Sequence, residues 1–276
     1  MSPGGVSLQC TSFGVPFSLV ADSRLLLRRM LQSAPFDTQT NDLQPDNEKK
    51  SGGPPQFSLR KSLTGGFCLR AGEQLRAEAA TPELLFQNLT RELMVHVADH
   101  SPERVFIHAG VVGWKGHAIL LPGTSFAGKT TLVAALVRAG AVYYSDEYAV
   151  LDEHGRVHPY ARDLQMRAPG RPEQVSVAVG SLGGRPGVLP LPVAQVLFVH
   201  YEETGFWNPQ PVTAGMAVLE MMRHAIAVQR TPGRVLAALS AVMQTAVAAQ
   251  SKRGDATATA ELLIRAFDQS VAGKQI

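Results

Sequence analysis

The sequence predicts an α/β protein with a mixed sheet, a smaller α+β region at the N-terminus and a helical tail at the C-terminus. Three observations carry that prediction. A glycine-rich loop, Gly123 to Thr130, sits between an apolar strand and an amphipathic helix. Short apolar runs separated by glycine turns flank it across residues 104–201, and from about residue 213 the chain is alanine-rich.

The 276 residues are 45% hydrophobic and 18% charged, enough for one large domain or two modest ones. We place an N-terminal region at residues 1–100 and the core at residues 101–276. The net charge of +3 is dispersed and suits phosphorylated ligands, without the basic stripe of a nucleic-acid binder. Cys10 and Cys68 make neither a disulfide framework nor a zinc cluster. With no basic-then-apolar leader and no apolar run of roughly 18 residues, a cytoplasmic chain off the membrane is expected.

In chain order, residues 14–20 alternate as a strand and residues 23–32 read as a helix. Residues 38–55 are polar with two glycines and prolines at their end, and read as a mobile loop. Strands follow at 56–59 and 66–70. Thr81-Pro82-Glu83 then opens a helix that runs to about His100. The core starts with two strands, VFIHAGVV and HAILLP, joined by a tight turn at 113–116. A helix from Lys129 stops at Gly140. Residues 143–152 and 156–160 read as strands, 168–192 as irregular and 193–201 as a strand. The tail reads as three helices broken near 231–233 and 252–255.

Gly123-Thr124-Ser125-Phe126-Ala127-Gly128-Lys129-Thr130 fits G-x-x-x-x-G-K-[ST] at every fixed position. Its glycines let the backbone curl so that successive N–H groups face phosphate oxygens. Lys129 is placed to reach the β- and γ-phosphates and Thr130 to ligate Mg²⁺. Thr131 is expected among the nucleotide-binding residues, in the helix whose positive N-terminal end faces the phosphates. ATP and Mg²⁺ are therefore the expected ligands. Asp146 and Glu147 follow residues 141–144, a strand expected beside the loop strand. Acids there can hold Mg²⁺ or take a proton from an attacking hydroxyl.

Together, His108-Ala109-Gly110-Val111-Val112, the loop, and Ser145-Asp146-Glu147 resemble the catalytic domain of the HPr kinase/phosphorylase family, and more remotely phosphoenolpyruvate carboxykinases. The match covers residues 104–167. It implies a P-loop kinase-like core and catalytic roles for His108, Lys129, Asp146 and Glu147. Lys129 would steady the γ-phosphoryl group, Glu147 would be the base, and Thr130, Asp146 and Glu147 would face the metal. The chain departs from the family in three places. Glu147 replaces an aspartate, Phe126 replaces a loop glycine, and Gln165 stands where the family has a metal-binding glutamate. Arg167 falls on a phosphate-contacting position. The flanks differ from those of the HPr enzyme, so the resemblance points to its related branch, some members of which phosphorylate peptides or small hydroxyl compounds.

The expected function is thus ATP- and Mg²⁺-dependent transfer of the γ-phosphoryl group to a serine-like hydroxyl on a protein, peptide or small molecule. Partners are a nucleotide and that acceptor, with no nucleic acid or membrane; self-association is left open. The alternative is an ATP-binding accessory module of a biosynthetic system with little transfer of its own. His96 and His100, four apart on one helix, lack the glutamate of a zincin and read as ordinary helix residues. Arg253-Gly254-Asp255 reads as a helix-breaking turn, and Trp207 as either packing or the lining of a pocket.

Overall fold

In the computed structural model the chain divides into two units, Met1–Glu103 and Arg104–Ile276. The structure describes residues 5–35, 37–41, 43–45, 53–62, 65–124, 127–167 and 174–272. It is a mixed α/β protein with six α-helices among the described residues.

The first unit begins with a hairpin, β1 (Val6–Ser12) and β2 (Val15–Ala21), turned at Phe13 and Gly14, both at positive φ. Helix α1 (Arg24–Gln32) is capped by Ser23, whose hydroxyl accepts from the Leu26 N–H at 3.2 Å. Two short strands, β3 (Gln39–Thr40) and β4 (Gln44–Pro45), pair with β1 where the sequence suggested only a loop; residues 42 and 46–52 of that stretch lie outside the described residues. Strands β5 (Gln56–Lys61), β6 (Phe67–Ala71) and β7 (Gln74–Ala79) complete a sheet of order β3-β1-β2-β5-β6-β7. A 3₁₀ turn, Pro82–Leu85, leads into α2 (Phe86–His100). Buried Phe17, Leu19, Leu27, Leu59, Leu89 and Leu93 form the interior. On α2 the His96 and His100 rings lie 4.5 Å apart, and His100 Nδ1 meets the His96 carbonyl at 2.9 Å.

The second unit is organised around β8 (Val105–Trp114), a long strand buried along most of its length. Lys115 and Gly116, both at positive φ, turn it into β9 (His117–Pro122). Helix α3 (Lys129–Arg138) follows the glycine-rich loop and ends before Gly140, at φ 101°. Next come β10 (Val142–Ser145), β11 (Tyr148–Leu151) and β12 (Arg156–His158). Strands β13 (Leu164–Arg167) and β14 (Gln174–Val177) form a separate hairpin, and β14 lies within the stretch expected to be irregular. Then follow β15 (Leu191–Tyr201), β16 (Gln210–Val212), α4 (Ala214–Met222), α5 (Pro232–Thr245), β17 (Val247–Arg253) and α6 (Ala256–Ala272).

Two expectations are corrected here. The strand preceding Asp146 does not neighbour the loop strand. β10 and β11 pair in succession with one edge of β8, and β9 pairs with the other, so β8 lies between the acids' strand and the loop strand. Residues 143–152 are accordingly two strands, bent at the Asp146-Glu147 step. The tail also holds a strand: β17 runs parallel to β15, from Gln195 opposite Val247 to Tyr201 opposite Arg253. Its alanines read as helix, yet the pairing with β15 decides their conformation.

β15 is parallel to β9 as well, and its first residues pair with β12, so β8, β9, β15, β12 and β11 close into a ring. Alternate residues of β9 face opposite sides. Ala118 and Leu120 join Ile107, Met221, Leu239 and Val242 beneath α4 and α5. Ile119 and Leu121 join Leu132, Leu136, Leu263 and Phe267 beneath α3 and α6. Trp207 packs against this second core. The loop at the end of β9 is thereby held between two packed layers.

Candidate functional site

The loop is anchored where it leaves β9. The Gly123 N–H donates to the His108 carbonyl at 3.1 Å, and the Ala127 N–H to the Thr124 carbonyl at 3.3 Å. Gly128 takes φ 79°, a left-handed conformation open to glycine at little cost, and Lys129 begins α3. The Lys129 ammonium folds back over the loop, donating to the carbonyls of Gly123 at 2.8 Å and Thr124 at 2.7 Å. Burial lowers its pKa, against the pull of Asp146 and Glu147. Thr130 and Thr131 fill the first helical turn. Ser125 and Phe126, expected in the loop, lie outside the described residues.

The acids arrive from the far side of β8. Ser145 Oγ accepts from the N–H groups of Glu147 at 3.1 Å and Tyr148 at 2.9 Å, which fixes the bend. The Glu147 carbonyl in turn accepts from Ala109 N–H at 3.1 Å. Asp146 receives the Tyr143 hydroxyl at 2.9 Å, and the Thr130 hydroxyl lies near it. Burial raises the Asp146 pKa, against these two hydroxyls and the Lys129 charge. The Glu147 pKa is raised too, first by the surrounding protein and then by the Asp146 charge, with Arg162 and Lys129 opposing. Glu147 is nonetheless among the exposed residues. Lys129, Thr130, Asp146 and Glu147, distant in sequence, therefore share one site.

His108 stands at the crossing of these elements. Its N–H donates to the His224 carbonyl at 2.8 Å and its carbonyl holds Gly123. Its ring lies 4.6 Å from that of Tyr148, tilted by 30°. The structure also contributes residues that sequence reasoning missed. His224, nearly buried and 3.6 Å from Glu220, has its pKa lowered by burial, with Lys129 adding to the effect. Arg162 lies in the field of Glu147. Arg253 is 2% exposed at the end of β17 and donates to the Gly128 carbonyl at 2.8 Å and the Gly254 carbonyl at 2.8 Å. Its guanidinium sits 5.0 Å from the centre of the Tyr201 ring. No spacing in the sequence signalled Arg253, because it reaches the loop only through the strand that was missed.

Gln165 is committed to its own hairpin, where its amide donates to Ser176 Oγ at 3.3 Å and to the Asp163 carbonyl at 3.4 Å. Arg167 ends β13, and its side chain lies outside the described residues. Among the described residues no three His, Cys, Asp or Glu side chains gather as a metal cage. The donors present still suit Mg²⁺. That ion takes one or two protein oxygens and completes its shell with water and phosphate. The Thr130 hydroxyl and the nearby Asp146 carboxylate are such oxygens.

No family model matches the chain, and no curated protein matches it in sequence.

Proposed function

We propose that this protein is a P-loop kinase that moves the γ-phosphoryl group of ATP, with Mg²⁺, onto a serine-like hydroxyl. One observation carries the reading: Asp146, held by the Tyr143 hydroxyl at 2.9 Å, lies beside the Thr130 hydroxyl at the start of α3, while the Lys129 ammonium lies in the field of both Asp146 and Glu147. A loop that only held phosphate would not require two acids with raised pKa values at its mouth. Acids that had only a structural role would not require the loop.

Each residue then has a task. Loop N–H groups and the α3 N-terminus hold the phosphates. Lys129 exchanges the carbonyls of Gly123 and Thr124 for phosphate oxygens and neutralises charge that builds during transfer. Thr130 and Asp146 hold Mg²⁺, which supplies further charge neutralisation when bound. Glu147, nearer to solvent, accepts the proton from the acceptor hydroxyl as its oxygen bonds to phosphorus and ADP departs. The Arg162 charge favours the ionised form of Glu147, against the burial that raises its pKa.

The accessory-module reading has one observation in its favour: Gln165, at the position where a third ligand was expected, is bound into its own hairpin. The test is to incubate the protein with Mg²⁺, γ-labelled ATP and serine-containing peptides or free serine. Label in a phosphate ester supports the kinase. Label transfer no greater than that of Lys129→Ala, with ATP binding retained in the parent, supports the accessory module.

A further inference from the structure

A cavity of about 800 Å³ opens beside the loop, bounded by Gly123, Thr124 and Ala127 and by the ends of β15 and β17. Its size is that of a small-molecule site. We infer that it receives the base and ribose of the bound nucleotide, an inference that rests on the kinase reading above.

Direction is the first argument. In phosphoryl transfer the attacking and departing oxygens lie roughly in line through phosphorus. Glu147 sets the attacking side, because it lies beyond β8 from the loop strand. The departing diphosphate and its nucleoside then extend toward the other edge of β9, which faces β15 and β17. The cavity opens on that edge. It also reaches the loop itself, since Gly123 and Thr124, whose carbonyls accept from the Lys129 ammonium, line it.

Chemistry is the second. Phe206 borders the cavity with 73% of its surface exposed, an aromatic face available for a base to stack on. The segment that bears it is fixed: the Asn208 N–H donates to Ser251 Oγ at 2.9 Å, and the Gln210 amide donates to Asn208 Oδ1 at 3.1 Å. Asn208 and Gln250 present carboxamides, which can pair with the donor and acceptor pattern of a base edge. The Glu202–Lys252 pair, 2.8 Å apart, gives the same wall acceptors for ribose hydroxyls and a cation.

The experiment compares affinity for ATP with affinity for inorganic tripolyphosphate, by calorimetry, in the full chain and in Phe206→Ala, Gln250→Ala and Lys129→Ala. Phe206 is exposed, so its loss leaves the fold intact, which circular dichroism checks. The parent is expected to bind ATP more tightly than tripolyphosphate. Phe206→Ala and Gln250→Ala should each weaken ATP by roughly fivefold or more and leave tripolyphosphate unchanged. Lys129→Ala should weaken both. Tight ATP binding that neither cavity variant alters overturns the inference and leaves the kinase reading standing, as does a loss of transfer with ATP affinity intact, which would make the cavity the acceptor's. A parent that binds neither ligand overturns both.

Discussion

Arg253 clasps Gly128: its guanidinium donates to the Gly128 carbonyl at 2.8 Å, and a Cβ on that glycine would stand 2.3 Å from the Arg253 Nη2. The final residue of β17 thereby sets the loop peptide that precedes Lys129. Arg253→Ala leaves that carbonyl without its partner, a loss of about 1–3 kcal/mol, and is expected to weaken nucleotide binding about tenfold. Arg253→Lys keeps the charge but not the fork that spans two carbonyls, and should recover only part of the loss. Titration of the variants with ATP reads both effects.

Gly128→Ala meets two obstacles, the positive φ and the guanidinium. The left-handed conformation alone costs about 1–2 kcal/mol. Lower thermal stability together with a loss of ATP affinity is expected, whereas Arg138→Ala, exposed at the far end of the same helix, should keep both near the parent's.

The site should leave a mark on stability as a function of pH. The Asp146 pKa is raised on folding, mainly by burial, so the folded chain binds more protons than the unfolded one between the ordinary carboxylate value and the raised one. Stability contributed by this group therefore falls as pH rises through that window and is flat above it. Tyr143, Thr130 and Lys129 face the carboxylate and limit the shift. Denaturant titrations from pH 4 to 8 should show a shallower decline in Asp146→Asn, and Mg²⁺ should flatten the parent's curve by favouring the ionised acid.

Away from the site, the turn between β11 and β12 tests the packing. Gly155 has φ 72°, and a Cβ there would lie 2.5 Å from the Val242 backbone nitrogen in α5. Gly155→Ala should destabilise the chain by about 2–4 kcal/mol, from the conformational cost and the overpacking together. Urea unfolding measures it. ATP affinity per folded molecule should be unchanged.

The parts of this arrangement that lie close in sequence were legible there. The loop, the Ser23 and Thr81 helix starts and the β8–β9 turn each announce themselves within a few residues. Long-range pairing did not. Nothing near Val142 tells that β10 would join β8 on the edge away from β9. Nor does the composition of Val247–Arg253 separate a half-buried parallel strand from a helix, because alanine suits both and the pairing with β15 decides. The same gap hid Arg253, His224 and Arg162, whose places depend on strand order. That Thr130 and Asp146 would face one metal was implied by the resemblance; their approach to one another required the structure.

The central claim is that the acids beside the loop turn nucleotide binding into transfer. Its most direct test pairs two measurements on Glu147→Gln: ATP affinity, and single-turnover transfer of the γ-label to the hydroxyl acceptor. The account predicts affinity within about threefold of the parent and transfer reduced about 10²- to 10⁴-fold, the contribution of a general base. Transfer by Glu147→Gln at the parental rate, or a parent that transfers no more than Lys129→Ala, would contradict it.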